Sequence, residues 1–406
     1  MKDVDTLIGA IIGDIVGSCF EFNNNRSKAF DFFNDDSFVT DDTIMSIAIA
    51  KAILETGKSL SIKNEDYYSL LENNTIKYMQ EIGRKYPSCG YGGRFYEWMF
   101  SDNPKPYNSY GNGAAMRVSS VAWIAKDESE LKFLSQIVTG VTHNHPEGIK
   151  GAEAIALAIF LSKEGYYKQE IKARIEKDYY ELNFSIDEIR ESYEFNETCQ
   201  DTVPQALQAF FESVSFEDAI RTAISIGGDS DTLAAITGSI AEAYYGVPDH
   251  LKQEAISYLD ENLKSLYQEW NNYISQDGRV SRYHVVIKYI PMFESNLLGD
   301  DVKDVYDLPK EYSCFFTDLW SVFKSNGSSI NHDTLIKLNI EWKEDALKKL
   351  DLKLLDEYDL IYLMTRLHST ERIHGGTVVN FIKSGHYLAW LMRLKSLSNM
   401  NVIGGK

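Results

Sequence analysis

The chain has 406 residues, 44% hydrophobic and 25% charged, with a formal net charge of −19. That length exceeds one ordinary core, so one large and one smaller soluble domain are expected. The acidic balance repels phosphate backbones and argues against nucleic acid as the default partner, though a small anion in a local pocket is still compatible.

Four cysteines, Cys19, Cys89, Cys199 and Cys314, are scattered with no Cys-x-x-Cys pair. Neither a zinc site nor a disulfide framework is suggested, and a reducing cytoplasm fits. The first residues, Met1-Lys2-Asp3-Val4-Asp5, are acidic, and Asp14 interrupts the apolar run that follows. Neither a signal peptide nor a membrane anchor is expected.

Helical periodicity dominates from the start. A first helix is expected over residues 5–20, with Gly9, Gly13 and Gly17 on one face, where a neighbouring helix can approach closely. Glu21 lies at its end. Thr40-Asp41-Asp42-Thr43 then opens a long helix. Further helices are expected over residues 64–85, 113–125, 129–139, 146–163, 186–193, 203–212, 216–225 and 232–245. Strand signals are scarce, so the first two-thirds reads as all-α. The polar stretch near 271–279 reads as a linker. Residues 283–406 form a second helical unit, broken by loops at 325–331 and 374–376.

Two helix starts carry paired acids. The first is Thr40-Asp41-Asp42-Thr43; the second is Gly227-Gly228-Asp229-Ser230-Asp231-Thr232. Taken singly, each resembles a helix cap, because Asp and Thr favour caps and acids favour the first turn. Brought together, four carboxylates would repel unless protons or cations neutralised them. An all-oxygen donor set suits Mg²⁺ or Mn²⁺. The pair therefore reads as a two-metal site assembled from distant segments.

Other chemistries fit less well. There is no Walker loop, and no Gly-x-Gly-x-x-Gly follows a strand. Asp229-Ser230-Asp231-Thr232 is one residue shorter than a haloacid-dehalogenase-type nucleophile motif and follows a helical segment. Neither acidic motif has EF-hand spacing. Ser109-Tyr110-Gly111-Asn112-Gly113 opens a helix whose free amides could bind phosphate, or is a turn needing Gly and Asn. Thr142-His143-Asn144-His145-Pro146 lacks a third zinc ligand nearby, so its histidines read as hydrogen-bonding or capping groups.

Taken in order, five segments resemble the ADP-ribosylglycohydrolase family over about residues 5–247. They are Gly13-Asp14-Ile15-Val16-Gly17 with Glu21, Thr40-Asp41-Asp42-Thr43, Gly111-Asn112-Gly113-Ala114-Ala115-Met116-Arg117, the histidine loop, and Gly227-Gly228-Asp229-Ser230-Asp231-Thr232. The resemblance implies an orthogonal all-α bundle with a dinuclear Mg²⁺ (or Mn²⁺) centre. It implies Thr40, Asp41, Asp42, Asp229, Asp231 and Thr232 as metal ligands. It places Glu21 with Asp41, Asp42 and Asp231 in the catalytic group, with Glu21 or a metal-bridging Asp as the base. Gly92, Ser109, Tyr110, Gly111, Asn112 and His143 would hold ADP-ribose.

The implied reaction is hydrolysis of the glycosidic bond between ADP-ribose and an acceptor, on an ADP-ribosylated protein or small molecule. Two other readings compete: a silent ADP-ribose-binding scaffold and a Mg²⁺-dependent nucleotide phosphohydrolase. The expected organisation is a catalytic domain over 1–270, a linker over 271–282 and a smaller helical domain over 283–406. That last part, with Glu371-Arg372-Ile373-His374-Gly375-Gly376-Thr377, resembles a small bacterial domain of unknown function. Its Leu388, Trp390, Leu391 and Leu394 read as a buried helix face.

Overall fold

The structure is a computed structural model. It describes residues 5–276 except 61, and then 284–287, 289–295, 298–299, 301–325, 335, 342–371 and 375–403. The chain divides into two compact units, Asp5–Ile274 and Ser275–Lys406. Among the described residues there is no strand, only one antiparallel bridge between Gly111 and Thr198.

The first unit is built from fifteen helices, counted among the described residues. In chain order they are α1 Ile8–Ser18, α2 Asp41–Ser59, α3 Glu65–Gly83, α4 Gly93–Phe100, α5 Gly113–Met116, α6 Ser119–Ile124, α7 Glu128–Gly140 and α8 Pro146–Lys163. They continue with α9 Lys168–Asp178, α10 Ile186–Ile189, α11 Cys199–Glu212, α12 Phe216–Ile224, α13 Ser230–Tyr245, α14 Asp249–Tyr258 and α15 Glu261–Gln276.

Local signals account for most boundaries. α8 begins at Pro146 because proline suits the first helical position and His145 Nδ1 accepts from the Glu147 amide at 3.1 Å. The helix expected over 113–125 is instead two, α5 and α6, with Arg117 and Val118 outside both. The one expected over 186–193 is a single turn. Four helices, α4, α9, α14 and α15, lie outside the expected set. α9 shows why: only Ile171 and Ile175 are buried in a charged stretch, too few to make a period visible.

The linker expectation needs correcting at its start. α15 runs through Asn271 to Gln276, and Asn271 is buried with its Oδ1 accepting from the Thr6 amide at 2.7 Å. The polar side chains that suggested a linker here serve a helix packed on the first residues of its own unit. Residues 277–282 lie outside the described residues.

α1 is the axis of this unit, buried along its whole length. Its glycine stripe meets α13. A Cβ on Gly9 would lie 2.3 Å from the Gly238 carbonyl oxygen, and one on Gly13 2.1 Å from that of Ala234. A Cβ on Gly17 would lie 2.5 Å from the Asp231 Cα. The stripe thus lets two backbones touch, and the helix so placed is the one that carries Asp231.

The second unit has its own aromatic core. Phe293 stacks on Tyr387 at 5.4 Å and meets Phe315 edge-on at 4.9 Å. Trp390, Leu391 and Leu394 are buried on helix His386–Ile403, as their spacing predicts, whereas Leu388, expected with them, is only partly buried. Glu371 accepts from the Gly376 and Val378 amides, at 2.5 and 2.9 Å, and so caps helix Thr377–Lys383. Residues 326–331 and His374, expected in loops, lie outside the described residues. Across the described residues no helix is long and apolar enough to cross a membrane.

Candidate active site

The two acidic helix starts come together. Thr40 caps α2, its hydroxyl accepting from the Asp42 amide at 3.3 Å. Asp14, reaching over from α1, accepts from the Thr40 hydroxyl at 2.6 Å and from the Thr40 and Thr43 amides at 3.1 Å each. The capping of α2 is therefore done by Thr40 and Asp14. Asp41 and Asp42 are left to face the cavity. At α13, Asp229 occupies the cap position but makes no side-chain cap bond.

Across this junction the Thr232 hydroxyl donates to Asp42 Oδ2 at 3.1 Å, and the Asn112 side-chain amide donates to Asp229 Oδ2 at 2.6 Å. Carboxylate oxygens of Glu21, Asp229 and Asp231 all lie within 4.8 Å of one another. Asp42 Oδ1 is buried and has no hydrogen-bond partner.

The electrostatics follow from this crowding. Burial, reinforced by the charge of Asp231, holds Asp41, Asp42 and Asp229 well above the ordinary carboxylate range. The same causes push Asp14 up to about 7 and Glu21 up to about 8. Among the described residues, no Lys or Arg forms a salt bridge with any of these acids. Clustered oxygen donors and an orphaned carboxylate oxygen fit hard divalent cations.

Glu21, Asp41, Asp42, Asp229 and Asp231 line a cavity of about 270 Å³, and Asp14 lies behind them, outside its lining. Its wall also includes Gly92, Ser109, Gly111, Asn112 and His143 from the expected set. Two expected residues are placed elsewhere. Thr40 is buried in its bonds to Asp14 and Asp42 and is absent from the wall. Tyr110 is half-exposed, packs on His145 at 5.2 Å and lies outside the lining.

The Gly-rich loop also differs from its expectation. It opens only a single turn, α5, and two of its amides are already engaged. Gly111 N–H donates to Ser109 Oγ at 3.2 Å, and Asn112 N–H donates to the Glu197 carbonyl at 2.7 Å.

His143 has a defined tautomer. Arg117, buried beneath it, donates to Thr142 Oγ1 at 2.6 Å and to His143 Nδ1 at 3.2 Å. A guanidinium has no acceptor, so Nδ1 accepts and the ring proton sits on Nε2. That nitrogen faces the Gly111–Gly113 turn. Burial and the Arg117 charge hold the imidazole neutral, its pKa far below the usual value. Burial also lowers Arg117 itself, to about 10.

Several lining residues have no marker in the sequence. Glu197 and Phe195 join the wall because the backbone around Thr198 pairs with Gly111. Tyr107 and Arg94 join as a pair, the guanidinium 4.8 Å from the ring. Gly113, Met116 and Arg117 also line it and were visible beforehand, as members of a recognised motif.

Comparison with known proteins places the chain in a family. The sequence model of the ADP-ribosylglycohydrolase family matches residues 4–277. An ADP-ribosylarginine hydrolase of Pseudomonas putida is 25% identical over 65% of this chain and 76% of its own length. The ADP-ribosylhydrolase ARH3 of Xenopus tropicalis is 25% identical over 64% of this chain and 94% of its own. A solved structure described as an ADP-ribosylglycohydrolase-related protein complex has a TM-score of 0.48 at 20% identity, over 67% of this chain and 97% of its own.

Proposed function

From the chain's membership of the ADP-ribosylglycohydrolase family, and hence its being a glycohydrolase that acts on ADP-ribose linkages, we propose that it cleaves the N- or O-glycosidic bond joining ADP-ribose to an acceptor, using two Mg²⁺ or Mn²⁺ ions. The observation that carries this reading is the convergence of Glu21, Asp229 and Asp231 within 4.8 Å, beside the unpartnered Asp42 Oδ1. Asp41, Asp42, Asp229, Asp231 and Thr232 would hold the ions, Glu21 would share the cation of Asp229 and Asp231, and Thr40 orders the turn of Asp41 and Asp42. When bound, the ions neutralise the carboxylates, orient the ribose hydroxyls and activate water.

The chain's own groups then divide the remaining work. His143 Nε2–H and the Ser109 hydroxyl donate to the pyrophosphate. Asn112 keeps Asp229 aimed into the cavity through its 2.6 Å bond. Asp41 and Asp231 stabilise the oxocarbenium-like charge that builds on the ribose carbon. A Glu21 carboxylate oxygen takes the proton of the attacking water. The acids favour this over a silent binding scaffold, because none of those expected is missing.

The test is to incubate the protein and Mg²⁺ with arginine- and serine-linked ADP-ribose substrates and identify products by mass spectrometry. Free ADP-ribose, lost on chelation, is the expected product. Release of inorganic phosphate instead would identify a phosphohydrolase. ADP-ribose binding with no turnover of any substrate would identify a silent scaffold.

A further inference from the structure

Glu21 reaches the site from a segment separate from Asp229 and Asp231, and one side chain ties those segments together. Arg26, five residues beyond Glu21, donates from Nη1 to the carbonyls of Arg190 and Ile226 and from Nη2 to the carbonyl of Tyr193 at 2.7 Å. Ile226 lies three residues before Asp229. Between them, Asn24 Oδ1 accepts from the Gly228 amide at 2.7 Å. The Tyr193 hydroxyl donates to the Asp201 carbonyl at 2.6 Å, and Phe22 stacks on Phe195 at 6.0 Å. One guanidinium therefore joins the Glu21 segment, the 190–195 loop and the turn that launches α13.

The turn is shaped to receive it. Gly227 and Gly228 have φ of +68° and +73°. A Cβ on Gly227 would lie 2.7 Å from Asn24 Oδ1 and 3.0 Å from the Arg26 Cζ, and one on Gly228 2.6 Å from the Tyr193 ring. Among the described residues no carboxylate forms a salt bridge with Arg26. Its bonds are all to backbone carbonyls, which suits a fork that sets geometry rather than one that balances charge.

We propose that Arg26 is a positioning residue that, with Asn24, sets the Glu21 carboxylate against Asp229 and Asp231. The proposal rests on the metal-dependent reading of this cavity. It makes Arg26 act through Glu21, so removing either should weaken cation binding by the same route. Groups that orient a ligand from behind are typically worth about 10–100-fold in metal affinity.

The experiment is a double-mutant cycle on the full chain: wild type, Arg26→Met, Glu21→Gln and both together. Each is measured for Mn²⁺ affinity by calorimetry and for ADP-ribose release. Methionine keeps an apolar stem and removes the donors. The expected result is a loss of roughly tenfold or more in Mn²⁺ affinity for each single variant, and no further loss in the double variant.

Losses that multiply, or wild-type Mn²⁺ binding by Arg26→Met, would overturn the proposal. Asn24→Ala deletes only the bond to Gly228 and should give the same pattern at lower amplitude; it takes the place of Arg26→Met should that variant not fold. If the wild type binds Mn²⁺ and the coupling holds, yet no ADP-ribose is released, the reading of the reaction fails and the positioning role stands. If ADP-ribose is released but the losses multiply, the reverse is true. A wild type that binds no Mn²⁺ overturns both.

Discussion

Replacing Gly13 with alanine tests the link between the glycine stripe and the site. The added Cβ would lie 2.1 Å from the Ala234 carbonyl oxygen, 2.3 Å from its carbon and 2.5 Å from the Ala235 amide nitrogen. That is about 1.3 Å short of the 3.4 Å at which ordinary contact begins. All three neighbours are backbone, so no side chain can rotate away, and α1 and α13 must separate. Overpacking of this kind costs about 1–3 kcal/mol, occasionally more. Alanine regains about 1 kcal/mol of helix propensity. For an overlap this deep with backbone alone the upper end of that range applies, and the net loss of about 2 kcal/mol corresponds to a drop of roughly 4–8 °C in Tm for a unit of this size.

The control is Gly140→Ala at the end of α7, where an added Cβ meets nothing within 4 Å. It should melt at or slightly above the wild-type temperature. Scanning calorimetry of the three proteins without metal reads both effects. Gly13→Ala melting at or above the wild type would refute the close-packing argument. The shift of α13 should also weaken Mn²⁺ binding, because that helix carries Asp231.

Four further outcomes are expected. Asp41→Ala or Asp231→Ala should reduce turnover to background while circular dichroism shows unchanged helical content, because Thr40 and Asp14 cap α2 and Asp231 gives α13 only one bond, from the Thr232 amide at 2.9 Å. Without metal, stability should fall as pH rises from about 4.5 to 8: Asp14, Glu21 and Glu242 are raised by burial to about 7, 8 and 8, so the folded state holds protons the unfolded chain has released. Mg²⁺ at a hundredfold its Kd should raise Tm by roughly 5–10 °C, and the gain should be larger at pH 8 than at pH 5, since cations compete with those protons; urea titrations and melts across that range measure both. A chain ending after Gln276 should keep ADP-ribose release from a small substrate, because α15 closes the first unit, whereas a chain ending after Trp270 should lose it, because it removes the bond from Thr6 to Asn271.

What could be read before folding was local. Helix starts announce themselves through Thr40, Pro146 and the acids of a first turn, and the spacing of Gly9, Gly13 and Gly17 shows that two helices touch. The ordered motifs added the family and most of the cavity wall. α9 was hidden because two buried residues in a charged stretch leave little periodicity, whereas α15 carries Leu263, Tyr267, Trp270 and Ile274 at helical spacing and was obscured only by polar side chains that resemble a linker.

Composition and spacing by themselves determined that the chain is helical, that its acids stand at helix starts and that one helix face is shaved to glycine. Packing alone decided what those features meet. Asp14 takes over the capping of α2 and frees Asp41 and Asp42, a choice made by a helix lying 26 residues away in sequence. Asn112 reaches Asp229 across 117 residues, and Arg26 reaches Ile226 across 200. Contacts at such separations depend on how whole helices dock, which no local pattern encodes. The same Asp and Thr residues are caps or cavity-facing donors according to which neighbours arrive.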